Sequence, residues 1–476
     1  MSSLRRWQLE GSKETMKAIA LDQQKAITPR LFTYFLAFTI FYIPNQSRIP
    51  DIPVPGLNIT NLLFLVLFFL VLRNRETDAI KTPLKINFIF YFLVLSWGLL
   101  IGQVYDGSTF LTDFQAYKNI VLYMLLFFVA YRGVRDVKTL KFLFFIILFT
   151  AFVDTYLGLR QAMDYGFNYN ESRRVAAPFS WNSTDANRSA AYYVIYMTLM
   201  GVTAFFYKSS RWVRWAALAF LAFGVFVNFF TYSRQSYGIF AVLALILTMR
   251  RNLLLGLLIL IALFNYHVWL PQSVIARIDM TVESSGSMPG VVKKPLSQEL
   301  DPSTESRFVI WQGAAEMLAD HPLGIGLNHF PKYIGKYSPE HANMDAHNYF
   351  VLSTAEDGPL MPFALLGLLL ALFKLGRNIE KIDDSTESKV FGIGLWFGAM
   401  AVSMVNFYGS RFADGNLMSN FWIFTGLAAR YYAIRTQQRQ VAAATKSHDE
   451  LTQVRSTPHQ SSRLHGARPS RQPASA

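Results

Sequence analysis

The sequence predicts an all-α polytopic membrane protein of about twelve transmembrane helices, with a large periplasmic loop that contains short helices. Of the 476 residues, 52% are apolar and only 16% are charged, against the roughly 25% of charged residues in soluble domains. Apolar runs of about 18–20 residues recur along the chain, and each is long enough to cross ~30 Å of hydrocarbon. The absence of cysteine excludes disulfides, iron–sulfur clusters and Cys-ligated zinc. This composition excludes a soluble or secreted globular enzyme.

The apolar runs give the predicted helices in chain order. Residues 1–30 form a charged, polar leader before the first run, and we expect no cleavable signal there. The first and fourth helices are short or interrupted by polar residues. The predicted segments are 31–47, 58–72, 86–103, 119–131, 142–158, 189–207, 212–231, 235–249, 252–270, 359–373, 390–407 and 418–433.

The distribution of basic residues predicts the sidedness of the helices. With the N-terminus inside, 31 of the 45 Lys and Arg residues fall on the cytoplasmic side, and every short loop agrees with this orientation. Both termini are therefore predicted to be cytoplasmic. Topology and attraction to membrane lipids explain the net charge of +14, so no nucleic acid partner is expected. Residues 434–476 are rich in Gln, Ser, Arg and Pro and predict a disordered basic tail.

One outer loop is much longer than the others. Helices one to nine occupy residues 31–270 and helices ten to twelve occupy 359–433, which leaves 271–358 as a large periplasmic loop that carries the candidate site. Within it, the spacing of apolar residues predicts a helix over Glu305 to Leu318. The Ser, Gly and Pro content of Ser284 to Pro302 predicts a flexible stretch.

Two arginines stand at the predicted membrane boundary. Arg234 lies in the sequence TYSRQSYG at an outer junction of two apolar helices, and Arg307 opens the helix of the large loop. A guanidinium fork binds phosphate and keeps its charge at any relevant pH. The alternative for Arg234 is an interfacial anchor whose charged end reaches the head groups.

Four of the eight histidines lie in the large loop. The spacing of His321, His329 and His341 does not match the i, i+4 pair of a helical zinc site. The segment HPLGIGLNHF, which starts at His321, predicts a turn and, as a second interpretation, a loop that cradles phosphate. His347 falls near the membrane surface, where an imidazole could take a proton from a sugar hydroxyl; a structural histidine is the alternative.

Taken in order, these segments resemble the O-antigen ligase and Wzy-type polymerase family of bacterial membrane glycosyltransferases. The resemblance covers roughly residues 160–365, and the ordered set carries it more than any single motif. In place of the family's Ser-Arg-Gly this chain has Ser233-Arg234-Gln235, so the glycine is missing. Two further elements also depart from the family pattern: RVAAPF from Arg174 has Ala177 for the glycine, and DANRSA from Asp185 has Ala186 for the proline. The remaining elements are Arg307 with Trp311, the intact His-Pro-Leu-x-Gly-x-Gly over His321 to Gly326, and the group His347, Asn348, Tyr349, Glu356 and Gly358.

The resemblance implies a glycosyltransferase of the GT-C type at the periplasmic face of the bacterial inner membrane. Its donor would be an undecaprenyl-pyrophosphate-linked glycan, and its acceptor lipid A–core or a growing polysaccharide. His347 would be the catalytic base, while Arg234 and Arg307 would stabilise the charge that develops on the pyrophosphate. No metal, cofactor or ATP site is implied. The residues implied in substrate binding are Arg174, Trp311, His321, Asn348, Tyr349 and Glu356.

Three alternatives stay open at this point. Ligase and polymerase share these motifs, and only the position of the cluster between helices nine and ten favours a ligase. A polysaccharide flippase or other transporter would place charged residues inside helices near the midplane. Here Asp154 is one of very few such residues and lies near an outer end. A purely structural scaffold would not explain an ordered outer set of Arg and His.

Overall fold

The computed structural model describes residues 27–49, 58–73, 82–105, 109–170, 172–181, 183–283 and 302–456. Within these residues the chain is helical and has no strand, as predicted. Residues 26–434 form one compact unit. Residues 435–456 are assigned to a second unit and are described only as the C-terminal part of the last helix.

Seventeen α-helices are numbered in chain order within the described ranges. They are α1 Arg30–Asn45, α2 Ile59–Arg73, α3 Lys85–Gly102, α4 Phe110–Gly133, α5 Val137–Asp164, α6 Ala186–Phe206, α7 Arg211–Phe229, α8 Arg234–Arg251, α9 Leu253–Phe264, α10 Tyr266–Trp269, α11 Gln272–Glu283, α12 Pro302–Asp320, α13 Phe330–Tyr337, α14 Tyr349–Asp357, α15 Met361–Glu380, α16 Thr386–Phe407 and α17 Gly415–Ser456.

Eleven of the twelve predicted segments each overlap one α-helix, and the segment 252–270 overlaps α9 and α10. Seven helices in the described part of the chain, α3 to α7, α15 and α16, are long and apolar enough to cross a membrane. The helices α2 and α9 are shorter but also apolar. The protein is therefore a helical membrane protein, and the count of twelve spans stays a prediction.

Two differences from the predicted helix boundaries involve polar side chains that form local or long-range contacts. The helix predicted from residue 119 begins at Phe110, because Asp113 in its first turn is only 1% exposed and lies 3.1 Å from His329 Nε2. The segment predicted as one helix over 252–270 is divided at Asn265, whose side chain donates to the Ile261 carbonyl at 2.8 Å. Hydropathy alone detects neither contact.

The C-terminal prediction also differs from the structure. Residues 434–456 were predicted to be disordered, whereas the structure continues α17 as a helix to Ser456. The sequence after Ile434 contains Gln, Arg and a run of three alanines, which are good helix formers. The predicted leader up to residue 26, the end of the tail from 457 and most of the predicted flexible stretch, 284–301, lie outside the described residues.

Side-chain caps start several helices directly after short connections. Asp136 accepts from Thr139 N at 2.8 Å to begin α5, and Asn252 accepts from Leu254 N at 2.9 Å to begin α9. Ser385 accepts from Ser388 N at 3.1 Å to begin α16. Such caps satisfy amides that have no partner inside the helix. They fix the short connections predicted to be cytoplasmic.

The helix α6 lies at the centre of the bundle. Within its most apolar window 89% of the residues are buried, against 22% for α7, which therefore lies at the periphery. The helix packs against α7, α8 and α16, and α16 packs against α15. Large side chains such as Tyr192 and Trp422 are fully buried in this core. The N-terminal turn of α6 reaches the candidate site from the middle of the fold.

The segment 271–358, predicted as a large loop, contains the four helices α11 to α14. The predicted helix over Glu305 to Leu318 is confirmed, since α12 spans Pro302–Asp320. A small separate core that includes Ile310, Met317 and Phe330 holds α12 and α13 together. The His329–Asp113 contact and a bond from Leu327 N to Gly98 O at 3.0 Å attach this segment to the bundle.

Candidate active site

A cleft of about 290 Å³, open to solvent, lies where several helix ends meet. It is bounded by the N-terminal turns of α6 and α8 and by the segment between α16 and α17. This is the end of the bundle predicted to face the periplasm. Side chains that line it include Asn187, Ala191, Ser233, Gln235, Tyr408 and Arg411.

A tight turn between α7 and α8 places Arg234 beside the cleft. Thr231 Oγ1 donates to the Asn228 carbonyl at 2.7 Å, and Tyr232 adopts a left-handed conformation with φ of 50°. The helix α8 then starts at Arg234, which is partly buried. A helix N-terminus favours nearby negative charge, so the environment of Arg234 suits an anion.

Arg174 braces this turn. Its Nε donates to the Thr231 carbonyl at 2.9 Å, and its Nη2 donates to Asn187 Oδ1 at 2.9 Å. The next residue adds a bond from Val175 N to Phe230 O at 2.9 Å. The structure thus connects Arg174 to the turn before Arg234 and to a side chain of the cleft wall, and its substrate contact stays a prediction.

Arg307 reaches the cleft through Gln235. The Gln235 amide is assigned with its oxygen toward the guanidinium, because the opposite orientation would set amide and guanidinium donors against each other. In this orientation the oxygen accepts from Arg307 Nη1 at 2.6 Å and Nη2 at 2.5 Å. The amide nitrogen donates to the Tyr408 carbonyl at 3.0 Å. A side chain of α8 therefore holds an arginine of α12 at the cleft.

Trp311 lies one turn after Arg307 on α12 and connects this helix to two other parts of the protein. Its indole Nε1 donates to the Ala346 carbonyl at 2.8 Å, directly before His347. Its ring packs edge-on against Phe407, with ring centroids 6.1 Å apart. Trp311 thus joins α12 both to the bundle and to the backbone of the predicted base.

His347 occupies a constrained turn. Its φ of 51° lies in the left-handed region, which histidine adopts more readily than most residues other than glycine. Its backbone N donates to Asp345 Oδ2 at 3.2 Å, and its ring Nδ1 lies 3.6 Å from the same oxygen. Among the described residues, the other ring nitrogen has no hydrogen-bond partner. The ring can therefore present Nε2 to an incoming hydroxyl.

The surroundings of His347 favour the neutral imidazole. Partial burial lowers its pKa below the ordinary 6.5, the positive charges of Arg307 and Arg411 lower this pKa further, and Asp345 opposes them. A neutral imidazole at pH 7 can accept a proton, as a general base must. The structure thus brings together two of the three predicted catalytic residues, His347 and Arg307, with Arg234 at the start of the helix that carries Gln235.

Arg411 is a site residue that sequence reasoning missed. Its backbone is held by Asn406 Oδ1, which accepts from Arg411 N at 2.9 Å. Nearby, Arg188 donates to the two carboxylate oxygens of Asp414 through Nε at 2.5 Å and Nη2 at 2.8 Å. No described residue accepts a hydrogen bond from the Arg411 guanidinium. The available signal was its position, since Arg411 lies at an outer helix junction as Arg234 does.

Asn348 and Tyr349 follow the turn of His347 and make contacts within the protein. The Asn348 side chain caps α14, accepting from Phe350 N at 2.9 Å and Val351 N at 3.3 Å. The Tyr349 hydroxyl lies 2.6 Å from that of Tyr91, and both rings are buried. These contacts are structural, and the predicted role of the two residues in substrate binding stays a prediction.

The segment from His321 to Gly326 is a packed turn. The amides of residues 324 to 327 all donate to protein carbonyls. Gly324 and Gly326 have φ of 90° and 100°, and a Cβ on Gly326 would lie 2.1 Å from Gly102 Cα. The structure therefore favours the turn over the phosphate-cradling loop. His321 itself packs edge-on against the Tyr105 ring at 5.1 Å.

Glu356 lies beneath this turn. Its Oε1 accepts from Phe330 N at 3.0 Å, and it is only 5% exposed. Burial raises its pKa to about 8, against smaller opposing effects of the backbone hydrogen bonds. At pH 7 the side chain is therefore mostly protonated. A buried, protonated Glu356 is better suited to supporting the turn than to binding substrate as a charged group. Its substrate contact stays a prediction.

No three His, Asp or Glu side chains in the described ranges are grouped so that they could hold a metal ion. The metal-independent chemistry expected from the sequence stays a prediction.

Comparison with known proteins found a match between part of the chain and one family model. Residues 219–360 match the family model of O-antigen ligase, a range that includes Arg234, Arg307 and His347 but not Arg411. The match confirms the resemblance to the O-antigen ligase and Wzy-type family. It supports an O-antigen ligase- or polymerase-like membrane glycosyltransferase. A comparison with curated proteins gave no match.

Proposed function

We propose that the protein transfers a glycan from an undecaprenyl-pyrophosphate donor to an acceptor hydroxyl at the periplasmic face of the inner membrane, as an O-antigen ligase does. The observation that carries this proposal is the grouping of Arg307 and Arg411 around a histidine whose pKa they lower. Fixed cations beside a neutral base suit a reaction that releases an anionic leaving group and a proton.

In the proposed reaction the acceptor oxygen attacks the anomeric carbon of the donor glycan. The bond between that carbon and the pyrophosphate oxygen breaks, and undecaprenyl pyrophosphate leaves. His347 takes the acceptor proton and later gives it to water. Arg234, Arg307 and Arg411 stabilise the negative charge that grows on the leaving group. The energy stored in the donor's pyrophosphate linkage makes ATP unnecessary.

The test is transfer by the purified full chain in liposomes that contain an undecaprenyl-pyrophosphate oligosaccharide and lipid A–core. We expect a glycan-bearing lipid A–core and an equal amount of free undecaprenyl pyrophosphate. Lengthening of the lipid-linked glycan in the presence of donor alone would instead identify the polymerase alternative. Consumption of no donor under either condition would contradict the proposal.

The proposal also requires the cleft to face the periplasm. Because the chain has no cysteine, single cysteines report cleanly on sidedness. Glu340 is exposed in the segment 271–358, and Asp384 is exposed between α15 and α16. We expect Glu340→Cys to react with a membrane-impermeant maleimide in intact spheroplasts, and Asp384→Cys to react only after permeabilisation. The reverse pattern would place the cleft in the cytoplasm.

A further inference from the structure

Gln235 stands where the resembling family has glycine in its Ser-Arg-Gly element. A glycine has no side chain to offer at this position, whereas Gln235 makes three hydrogen bonds. Two join its amide oxygen to the Arg307 guanidinium, and one joins its amide nitrogen to the Tyr408 carbonyl. The residue that replaces the family's glycine therefore makes a specific contact with a predicted catalytic arginine.

We propose that Gln235 is a positioning residue that holds the Arg307 guanidinium toward the donor pyrophosphate and leaves its positive charge intact. The inference rests on the proposed function, because Arg307 must act on an anionic group for its charge to matter. It is specific to this chain, since it depends on the side chain that replaces the glycine.

The chemical nature of the Gln235 amide oxygen, which accepts the hydrogen bonds of Arg307, supports this assignment. The same end of the bundle contains Arg188, which donates from Nε and Nη2 to the carboxylate of Asp414. A carboxylate neutralises the arginine that it orients, whereas an amide oxygen orients a guanidinium without adding negative charge. Gln235 thus fixes the Arg307 guanidinium without adding a negative charge of its own. Arg188 is held in a fixed geometry with its charge compensated.

The hydrogen bond from the Gln235 amide nitrogen to the Tyr408 carbonyl connects Arg307 to a further element. The Tyr408 carbonyl belongs to the segment between α16 and α17 that also carries Arg411. Gln235 therefore connects three elements at once: α8, α12 through Arg307, and the Arg411 segment. Loss of the side chain would remove the two hydrogen bonds by which Gln235 links Arg307 to α8. We expect the distance between the two cations to become variable as a result.

The substitutions Gln235→Ala, Gln235→Gly and Gln235→Glu separate geometry from charge. Without the amide, kcat should fall about 10- to 100-fold because a small misplacement of a catalytic group is costly. Gln235→Gly should behave like Gln235→Ala, even though it restores the family residue. Gln235→Glu should be worse than either and should also raise the KM for the donor, because a carboxylate would neutralise Arg307.

Gln312→Glu is the matched control, since Gln312 is exposed on the same helix as Arg307 and bonds only Glu316, at 3.1 Å. It should retain transfer close to that of the wild type. Size-exclusion profiles and thermal melting in detergent show whether each variant is folded. A folded Gln235→Glu variant that is as active as Gln235→Ala, or more active, would overturn the role of the neutral amide.

A double-mutant cycle with Arg307→Lys tests whether Gln235 acts through Arg307. An ammonium has no planar fork to align, so Gln235→Ala should cost much less in the Arg307→Lys background than in the wild type. Additive effects would contradict the proposal. If Arg307→Lys turns over too slowly for the cycle, the order of the Gln235 variants decides the question alone. Absence of transfer by the wild type would contradict the proposed function, whereas wild-type turnover with an unimpaired Gln235→Ala variant would overturn only this inference.

Discussion

Replacing Arg307 with alanine is expected to reduce glycan transfer by about 10²–10³-fold, the loss typical for removal of one preorganised group that stabilises developing charge. Arg307 approaches His347 closely enough to lower its pKa, and it is held by two hydrogen bonds to Gln235. Its charge is therefore fixed before the reaction begins. The measurement is the rate of undecaprenyl pyrophosphate release by the purified variant.

Arg307→Lys should recover only part of this loss, since an ammonium cannot reproduce two parallel bonds to a phosphate. Arg234→Ala and Arg411→Ala should also impair transfer severely, because the leaving group carries more charge than one cation can offset. Arg173→Ala is the matched control, as Arg173 is exposed next to Arg174. Full activity of Arg307→Ala and Arg234→Ala would show that these arginines are only interfacial anchors and would remove the proposed mechanism.

The helices could be predicted from sequence because a membrane span must be both long and apolar. Prediction failed at the start of α4 because a buried polar residue there is satisfied by a distant partner. Asp113 made the start of α4 look like a loop, yet it pairs with His329 at 3.1 Å. A local pattern contains no information about a partner more than two hundred residues away.

The residues of the candidate site likewise fall into those that local motifs identify and those that only the fold identifies. Arg307 and His347 could be identified because each belongs to an ordered motif, and in the structure Arg307 lies close enough to His347 to lower its pKa. Arg411 lies outside those motifs, and only the fold shows that it approaches them. Gln235 looked like a departure from a motif, whereas the structure gives it a partner. Asn348 followed the motif but serves as a helix cap.

If His347 is the general base, its replacement by alanine should abolish turnover and leave donor binding close to normal. Its contact with the acceptor proton contributes only in the transition state, so kcat should fall while binding of the lipid-linked donor is retained. General acid–base groups typically contribute about 10²–10⁴-fold to the rate. The measurement pairs a donor-binding assay with single-turnover transfer by the same protein preparation.

The sharper variant is His347→Asn, because asparagine tolerates the left-handed backbone that this position requires. It should keep the turn intact and still lack turnover. His341→Asn is the matched control, since His341 lies in the same segment and bonds Ser338 Oγ at 2.7 Å. Substantial turnover by His347→Asn or His347→Gln would assign His347 a role in shaping the turn alone.

The pH dependence of kcat/KM provides an independent test of the same assignment. Because the base acts when neutral, activity should rise with pH through the His347 pKa, and this limb should lie below the ordinary value of 6.5. Removing the positive charge of Arg411 should raise that pKa and move the limb to higher pH. Removing the negative charge with Asp345→Asn should lower the pKa and move the limb to lower pH.

Shifts in these two opposite directions, with turnover unaffected by EDTA, are expected of a metal-independent reaction in which His347 accepts the proton. A limb that neither substitution moves would assign the titration to another group, and turnover that EDTA abolishes would reinstate a metal ion.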